Sequence, residues 1–313
     1  MLQFLGALAG EALSLSFNPS RDYHVWIVER PGTSLAPPQL DRLKQDCEAV
    51  VQACLSGQSL DYGLFAEGST AWDRSVITLV TRSADGRPVA FNAMPQLDVI
   101  RSGAEDRVLH LGLVMVDPDE RSGGLSWILY GLTCFALFLR QGLRPLWVSS
   151  VTQVPAVVGM VAETFSEVYP AQGSTSQSFT HRHLAHQIMR RHRDAFGVGD
   201  EAGFDADRQI ITDAYTGGSD NLKKTFAVAA KHRHADYNAF CERELDYARG
   251  DDVLQIGKID LAAGQRFLAR SVPRSALPQL AVQAAMVLAG AVLAPLIQWL
   301  DPSRPHNRLR LLA

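Results

Sequence analysis

Paired cysteines are missing from this chain. The four present among 313 residues, Cys47, Cys54, Cys134 and Cys241, form no CxxC motif. Cys47 and Cys54 lie seven apart, which puts them on one helix face but too far apart to bridge. Free thiols in a reducing cytoplasm are expected. A surplus of positive charge is missing too. The net charge of −3 argues against a nucleic-acid binder. The N-terminal MLQFLGALAGEALSLSF has no basic start and is interrupted by Glu11, so a packed first helix is expected there rather than a secretory signal. No internal repeat or low-complexity run appears. Neither a Walker-type GK[ST] nor a G-x-G-x-x-G fingerprint is present.

What remains is globular composition, 47% hydrophobic and 20% charged. The length allows one large domain or two modest ones. HVWIVER (24–30), SVITLVT (75–81), RPVAFNAM (87–94), RVLHLGLVMV (107–116) and RPLWVSSV (144–151) read as strands. Asp85-Gly86 signals a hairpin between the second and third of these. Helices are expected at 38–57, 125–142 and 155–169, from apolar residues at helical spacing, closing glycines and Pro155 in a first turn. Beyond a linker at 171–178, a basic helix is expected at 180–197, another around 220–248, and a strand at 253–260.

VDPDERSGGLS (116–126) joins a buried strand to an apolar helix through two glycines. Such a turn aims backbone N–H groups into one space at a helix N-terminus, where they and the helix dipole favour phosphate. The same geometry also serves as a plain turn. The wider stretch LGLVMVDPDERSGGLSWILYGL resembles the central motif of the GNAT acyltransferase superfamily: a strand, then R/Q-x-x-G-x-G/A, then a long helix. Arg121-x-x-Gly124-x-Ser126 matches it, with serine for the last small residue. The order of elements over 24–170, about half the chain, resembles that fold as well.

The resemblance implies a GNAT-like α/β acyl-CoA N-acyltransferase fold with a mixed central sheet, followed by a mostly helical C-terminal extension. The divisions expected are 1–172, 173–272 and 273–313, the last an apolar helix with a basic tail. The resemblance also implies an N-acyltransferase that moves an acyl group from a thioester to an amine by direct attack. The pyrophosphate of coenzyme A, or the phosphopantetheine of a carrier protein, would sit on the N–H groups of Arg121, Ser122, Gly123, Gly124, Leu125 and Ser126. The pantetheine would run along Leu113, Val114, Met115 and Val116, with a backbone N–H near Val114 stabilising the oxyanion. The thioester would lie between that strand and 147–151. No metal is implied. The acceptor would be a small-molecule or lipid amine.

Strand alternation puts His110, Gly112 and Val114 on one face. Some members carry a histidine at this strand position, so His110 is the candidate base, working through water; a hydrogen-bonded core histidine is the other reading. The family's leaving-group acid is often a tyrosine on the last helix, but Val161 occupies that place and Tyr169 comes too late. Tyr130, Ser149, Ser150 and Thr152 are weaker candidates. The missing tyrosine supports an alternative, a non-catalytic module that binds acyl-CoA or acyl carrier protein.

His181, His183 and His186, and His232, His234 and Cys241, lack the second half of a zinc pattern. Arg182, Arg190, Arg191 and Arg193 form either a solvated face or a docking surface for an acidic carrier protein or phospholipid. From Ser275 to Leu300 no residue is charged, with arginines on both sides. That segment is either a membrane-contacting helix or a buried or homodimer-interface helix. With it, an acyl donor longer than acetyl and a cytoplasmic protein peripheral to the inner membrane are expected.

Overall fold

The computed structural model describes residues 12–55, 60, 63–171 and 176–272, and six positions beyond (274, 277, 278, 281, 282 and 285). The apolar tail at 275–300 therefore lies largely outside the described residues. Among the described residues, no helix is long and apolar enough to cross a membrane.

Eleven strands share one mixed, open sheet. Its order is β1 (Ser14–Phe17), β2 (Tyr23–Glu29), β3 (Ser75–Arg82), β4 (Pro88–Arg101), β5 (Ala104–His110), β7 (Leu146–Thr152), β11 (Asp252–Ile259), β10 (Ile210–Thr212), β9 (Gly203–Asp205). Two more strands lie off that path: β6 (Leu113–Val116) pairs with β4, and β8 (Ser166–Tyr169) with β11. The β5–β7 pair is parallel. β7 and β11 run antiparallel from Thr152↔Val253 to Leu146↔Ile259, so the chain after 173 continues the sheet begun by the first half.

Helices cover both faces. On one face, α1 (Pro37–Cys54) buries Leu43, Cys47, Val50 and Val51 against Ile77, Leu79, Phe91 and Met115. Further along, α4 (Phe179–Arg191) buries Leu184, Ala185 and Ile188 against Leu97, Val108, Leu254 and Ile256. On the other face lie residues 127–140, α3 (Pro155–Thr164) and α6 (Leu261–Arg270), around Leu129, Phe138, Val161 and Phe267. α5 (Ala235–Glu244) packs on α3.

The apolar helix after the glycine turn is not uniform. Trp127–Leu132 forms a wide π-turn before α2 (Thr133–Arg140) continues as an ordinary helix. Asn92, fully buried on β4, donates to the Leu129 carbonyl, and Thr78 and Thr133 share a hydroxyl hydrogen bond of 2.6 Å. Side chains inserted into a helix ladder in this way widen it.

Several expectations are corrected. Residues 14–17, read as part of a first helix, form β1 on the edge of β2; residues 1–11 lie outside the described residues. β4 runs on through Pro95 to Arg101 and turns at Ser102-Gly103, both at positive φ, into β5. Helix 155–169 stops at Thr164, and β8 follows, drawn into the sheet by β11. Of the helix expected around 220–248, Ala235–Glu244 is α-helical and Asp220–Leu222 is a short 3-10 turn. The segment 173–272 holds three strands as well as helices.

Candidate active site

The strand read as continuous from 107 to 116 is two strands. Ala93 pairs with Leu113 and Gln96 with Leu109; three steps on β4 match four on its partner, which is a β-bulge. Gly112 lies at the break. A Cβ there would stand 2.4 Å from the Ala93 carbonyl oxygen, too close for any other residue. Pro95 faces the same gap, where its missing N–H leaves no ladder bond unmade. The inserted residue flips the alternation. His110 therefore shares its face with Leu113 and Met115, while Val114 and Val116 turn to the opposite core. The expected common face for His110, Gly112 and Val114 is corrected accordingly.

The bulge also splits the sheet. Leu111 N–H donates to Ser149 O at 2.6 Å, and beyond it β6 stays with β4 while β7 diverges. Asp117 N–H donates to Val89 O. By alternation, Leu113 and Met115 turn their peptide groups to β4, and Val114 and Val116 turn theirs to the open side. There the Val116 carbonyl accepts from Cys54 Sγ at 3.2 Å and from Arg121 Nε at 3.4 Å.

At the end of β6 the acids brace the turn from behind. Asp117 caps it by accepting from Asp119 N–H and pairs with Arg87 at 3.0 Å. Glu120 accepts from Tyr23 Oη at 2.6 Å and from Arg82 at 2.7 Å. These bonds hold its carboxyl below the usual range, while burial and Glu120 push the Tyr23 hydroxyl up to about 12. Pro118–Gly123 forms a tight turn, Gly124 follows at φ 64°, and Ile128 and Leu129 donate to Leu125 O as the helix opens. Inside Pro118–Gly123 the N–H groups bond carbonyls three residues back, as Glu120 N–H does to Asp117 O at 2.9 Å. Gly124 and Ser126 are exposed at this mouth and Leu125 is buried beneath it. Glu120→Ala removes a charge-assisted bond on each side and should lower stability by about 1–2 kcal/mol. An unchanged melting temperature would show that the turn does not depend on this brace.

Between the end of α1 and the turn at Ala195 and Phe196 that follows α4, against the split, lies a cavity of about 660 Å³. Of the residues singled out from sequence, His110, Leu113, Val114, Met115, Val116, Arg121 and Thr152 line it. Most of the wall is apolar, but two donors on it have no partner: Arg74 Nε and Ser75 Oγ, both buried. Buried donors without partners are rare in native proteins.

His110 is buried, lies 3.0 Å from Ser149 Oγ through Nδ1, and stacks on Phe196 at 4.9 Å. Burial pulls its pKa down to about 3, so it is neutral at pH 7 and a weak proton acceptor. Deep in the same wall lies Asp252, on the first residue of β11 and 5% exposed. The Tyr215 hydroxyl lies 3.1 Å from its Oδ1 and 2.6 Å from the Gln153 carboxamide oxygen, two acceptors for one proton. Among the described residues, no cation pairs with Asp252. Burial therefore raises its pKa to about 7, with Asp251 adding to the rise and Tyr215 opposing it. Sequence reasoning missed Tyr215 and Asp252, because the stretch that carries them has no motif.

The other acid candidates lie elsewhere. Tyr130 and Val161 pack in the core on the opposite face, and burial raises the Tyr130 hydroxyl. Tyr169 donates to Asp207 O at 2.6 Å. Ser150 is buried in the sheet, and Thr152 Oγ1 accepts from Val154 N–H. In the basic stretch, Arg182 pairs with Asp207 and Arg193 donates to the carbonyls of Met189, Gly199 and Asp200. Among the described residues, no group of three His, Cys, Asp or Glu side chains could hold a metal ion.

No protein-family model matches the chain, and no curated protein matches it. Among solved structures, a match is AtaT complexed with acetyl-methionyl-tRNAfMet, with 12% identity, 44% of this chain and 77% of that chain covered, and a TM-score of 0.22. At that score the likeness carries no argument about activity.

Proposed function

We propose that the chain is a GNAT-like N-acyltransferase that moves an acyl group from a thioester of coenzyme A, or of a carrier protein's phosphopantetheine, to an amine. The observation that carries this reading is the split between β6 and β7 at Gly112, opening onto a cavity that both strands line. An extended pantetheine arm carries amide groups, and the outward peptide group of Val114 with the Val116 N–H offers it a strand edge to pair with. Its phosphates would reach the N–H groups of residues 121–126, where the helix dipole adds to the attraction. The Val114 N–H would face the thioester oxygen as it becomes an oxyanion. The unpartnered donors Arg74 Nε and Ser75 Oγ suit an acceptor that carries an oxygen as well as its amine.

The test is to incubate the protein with acetyl-CoA and long-chain acyl-CoA against a panel of amines and to follow free thiol. Thiol release that depends on the amine is expected. Donor binding without release for every pair would favour a binding module instead. The cradle is tested separately. A Cβ on Gly124 meets no atom within 4 Å, so bulk there intrudes on a ligand rather than on the protein. Gly124→Asn keeps a residue that tolerates positive φ. It should weaken acyl-CoA binding at least tenfold by calorimetry; unchanged affinity would remove the turn from the site.

A further inference from the structure

We propose that Asp252 and Tyr215, supplied to the cavity by the C-terminal half of the chain, are the proton-transfer pair of the acyl transfer. The inference rests on the function proposed above and deepens it. Three observations carry it. Asp252 and Tyr215 hydrogen-bond to each other at 3.1 Å and line the same cavity as His110 and the edge of β6. Asp252 is a buried carboxyl with no cationic partner among the described residues. The other tyrosines considered are not on the cavity wall: Tyr130 packs in the opposite core and Tyr169 donates to Asp207 O.

The surroundings of Asp252 are set by few charges. Asp251, its neighbour in sequence, is neutralised by a two-bond pair with Arg249, both bonds 2.7 Å. Tyr247 spends its hydroxyl on the Gln153 carbonyl. Lys224, Arg74 and His110 lie on the cavity wall, and Arg74 pairs with Asp194. Burial thus dominates, and the group titrates at about 7, where an acid–base catalyst gives up and takes a proton with equal ease. Buried His110, at about 3, does not.

The steps balance as follows. The Asp252 carboxylate takes one proton from the entering ammonium. The freed nitrogen lone pair attacks the thioester carbon, the C–N bond forms and the carbonyl electrons move to oxygen. Collapse re-forms the carbonyl and breaks the C–S bond. The thiolate receives the proton from Asp252, relayed through the Tyr215 hydroxyl, and the second nitrogen proton leaves to water. Amide, thiol and one proton result.

The experiment measures amine-dependent thiol release against pH for the wild type, Asp252→Asn, Asp252→Glu and Tyr215→Phe, with acyl-CoA binding measured by calorimetry for each. The expected wild-type rate rises through an ascending limb near pH 7. Asp252→Asn should lose at least 100-fold in kcat and lose that limb, with donor affinity kept within threefold. Asp252→Glu should restore part of the rate. Tyr215→Phe should move the limb to higher pH, because the hydroxyl bond favours the charged carboxylate. A variant Asp252→Asn with wild-type kcat and an unchanged pH profile would overturn this assignment while leaving acyl transfer standing. No thiol release by the wild type with any pair would overturn both.

Discussion

Asp252→Asn should make the protein more stable at pH 8 while leaving it little changed at pH 4. The unfolded carboxyl loses its proton near 3.8, the native one near 7. Between those values the native state holds a proton that the unfolded chain has released. Stability therefore falls as pH rises through that window, and the loss is complete above pH 7. The gap corresponds to roughly 4 kcal/mol as an upper bound. Asparagine has nearly the same shape and can still accept from Tyr215, but it cannot ionise. Urea unfolding at pH 4 and pH 8 should show the variant's advantage growing by about 2–4 kcal/mol between the two. Parallel pH dependence in the two proteins would mean that Asp252 is not held neutral by burial. A stabilising mutation that destroys activity is the usual mark of a group kept for chemistry at the expense of the fold.

Gly112→Ala should be among the most damaging single-methyl additions in the chain. The nearest atom to the new methyl is a backbone oxygen, Ala93 O at 2.4 Å, with Pro95 Cδ at 3.0 Å. Neither is the free end of a flexible side chain, so β6 and β4 must separate. Overpacking of this kind costs about 2–3 kcal/mol, or about 3–5 °C in melting temperature for a protein of this size. Gly264→Ala is the internal comparison. That glycine lies inside α6, its added methyl meets nothing closer than 3.7 Å, and better helix propensity should stabilise by up to about 1 kcal/mol. If the two substitutions had equal effects on thermal unfolding, the close approach at the bulge would be relieved elsewhere and Gly112 would not be required there.

Much of the first half was readable because its signals are local. The run from Arg107 to Val116, the glycines after it and the apolar helix beyond are a contiguous pattern, and the structure forms a strand, a turn and a helix there. The bulge was not readable with the same ease. One glycine inside ten mostly apolar residues looks like a weak point in a strand, and only the register against β4 shows that a residue has been inserted. That single insertion changed which side chains stand with His110. Val161 lies in the core, as its aliphatic side chain leads one to expect. Tyr215 and Asp252 were invisible for a different reason. Thirty-seven positions separate them; Tyr215 sits in a polar stretch with no periodicity, and Asp252 stands just before the strand expected at 253–260, with no motif to mark it. Their chemistry arises only when β11 pairs with β7 and carries Asp252 beneath the cavity.

That pairing has a consequence for how the molecule is made. Thr152 and Val253 are partners in the sheet, about a hundred residues apart in the order of synthesis. A ribosome adding about 5–20 residues per second leaves β7 without β11 for roughly 5–20 s. During that interval one edge of an apolar strand stands open, a template for any other extended chain. The nascent protein thus carries an open strand edge after its glycine turn has been made and before its carboxylate has arrived. Slowing the ribosome between residues 152 and 259 should lengthen that exposure, and a chaperone that shields strand edges would act in the same interval.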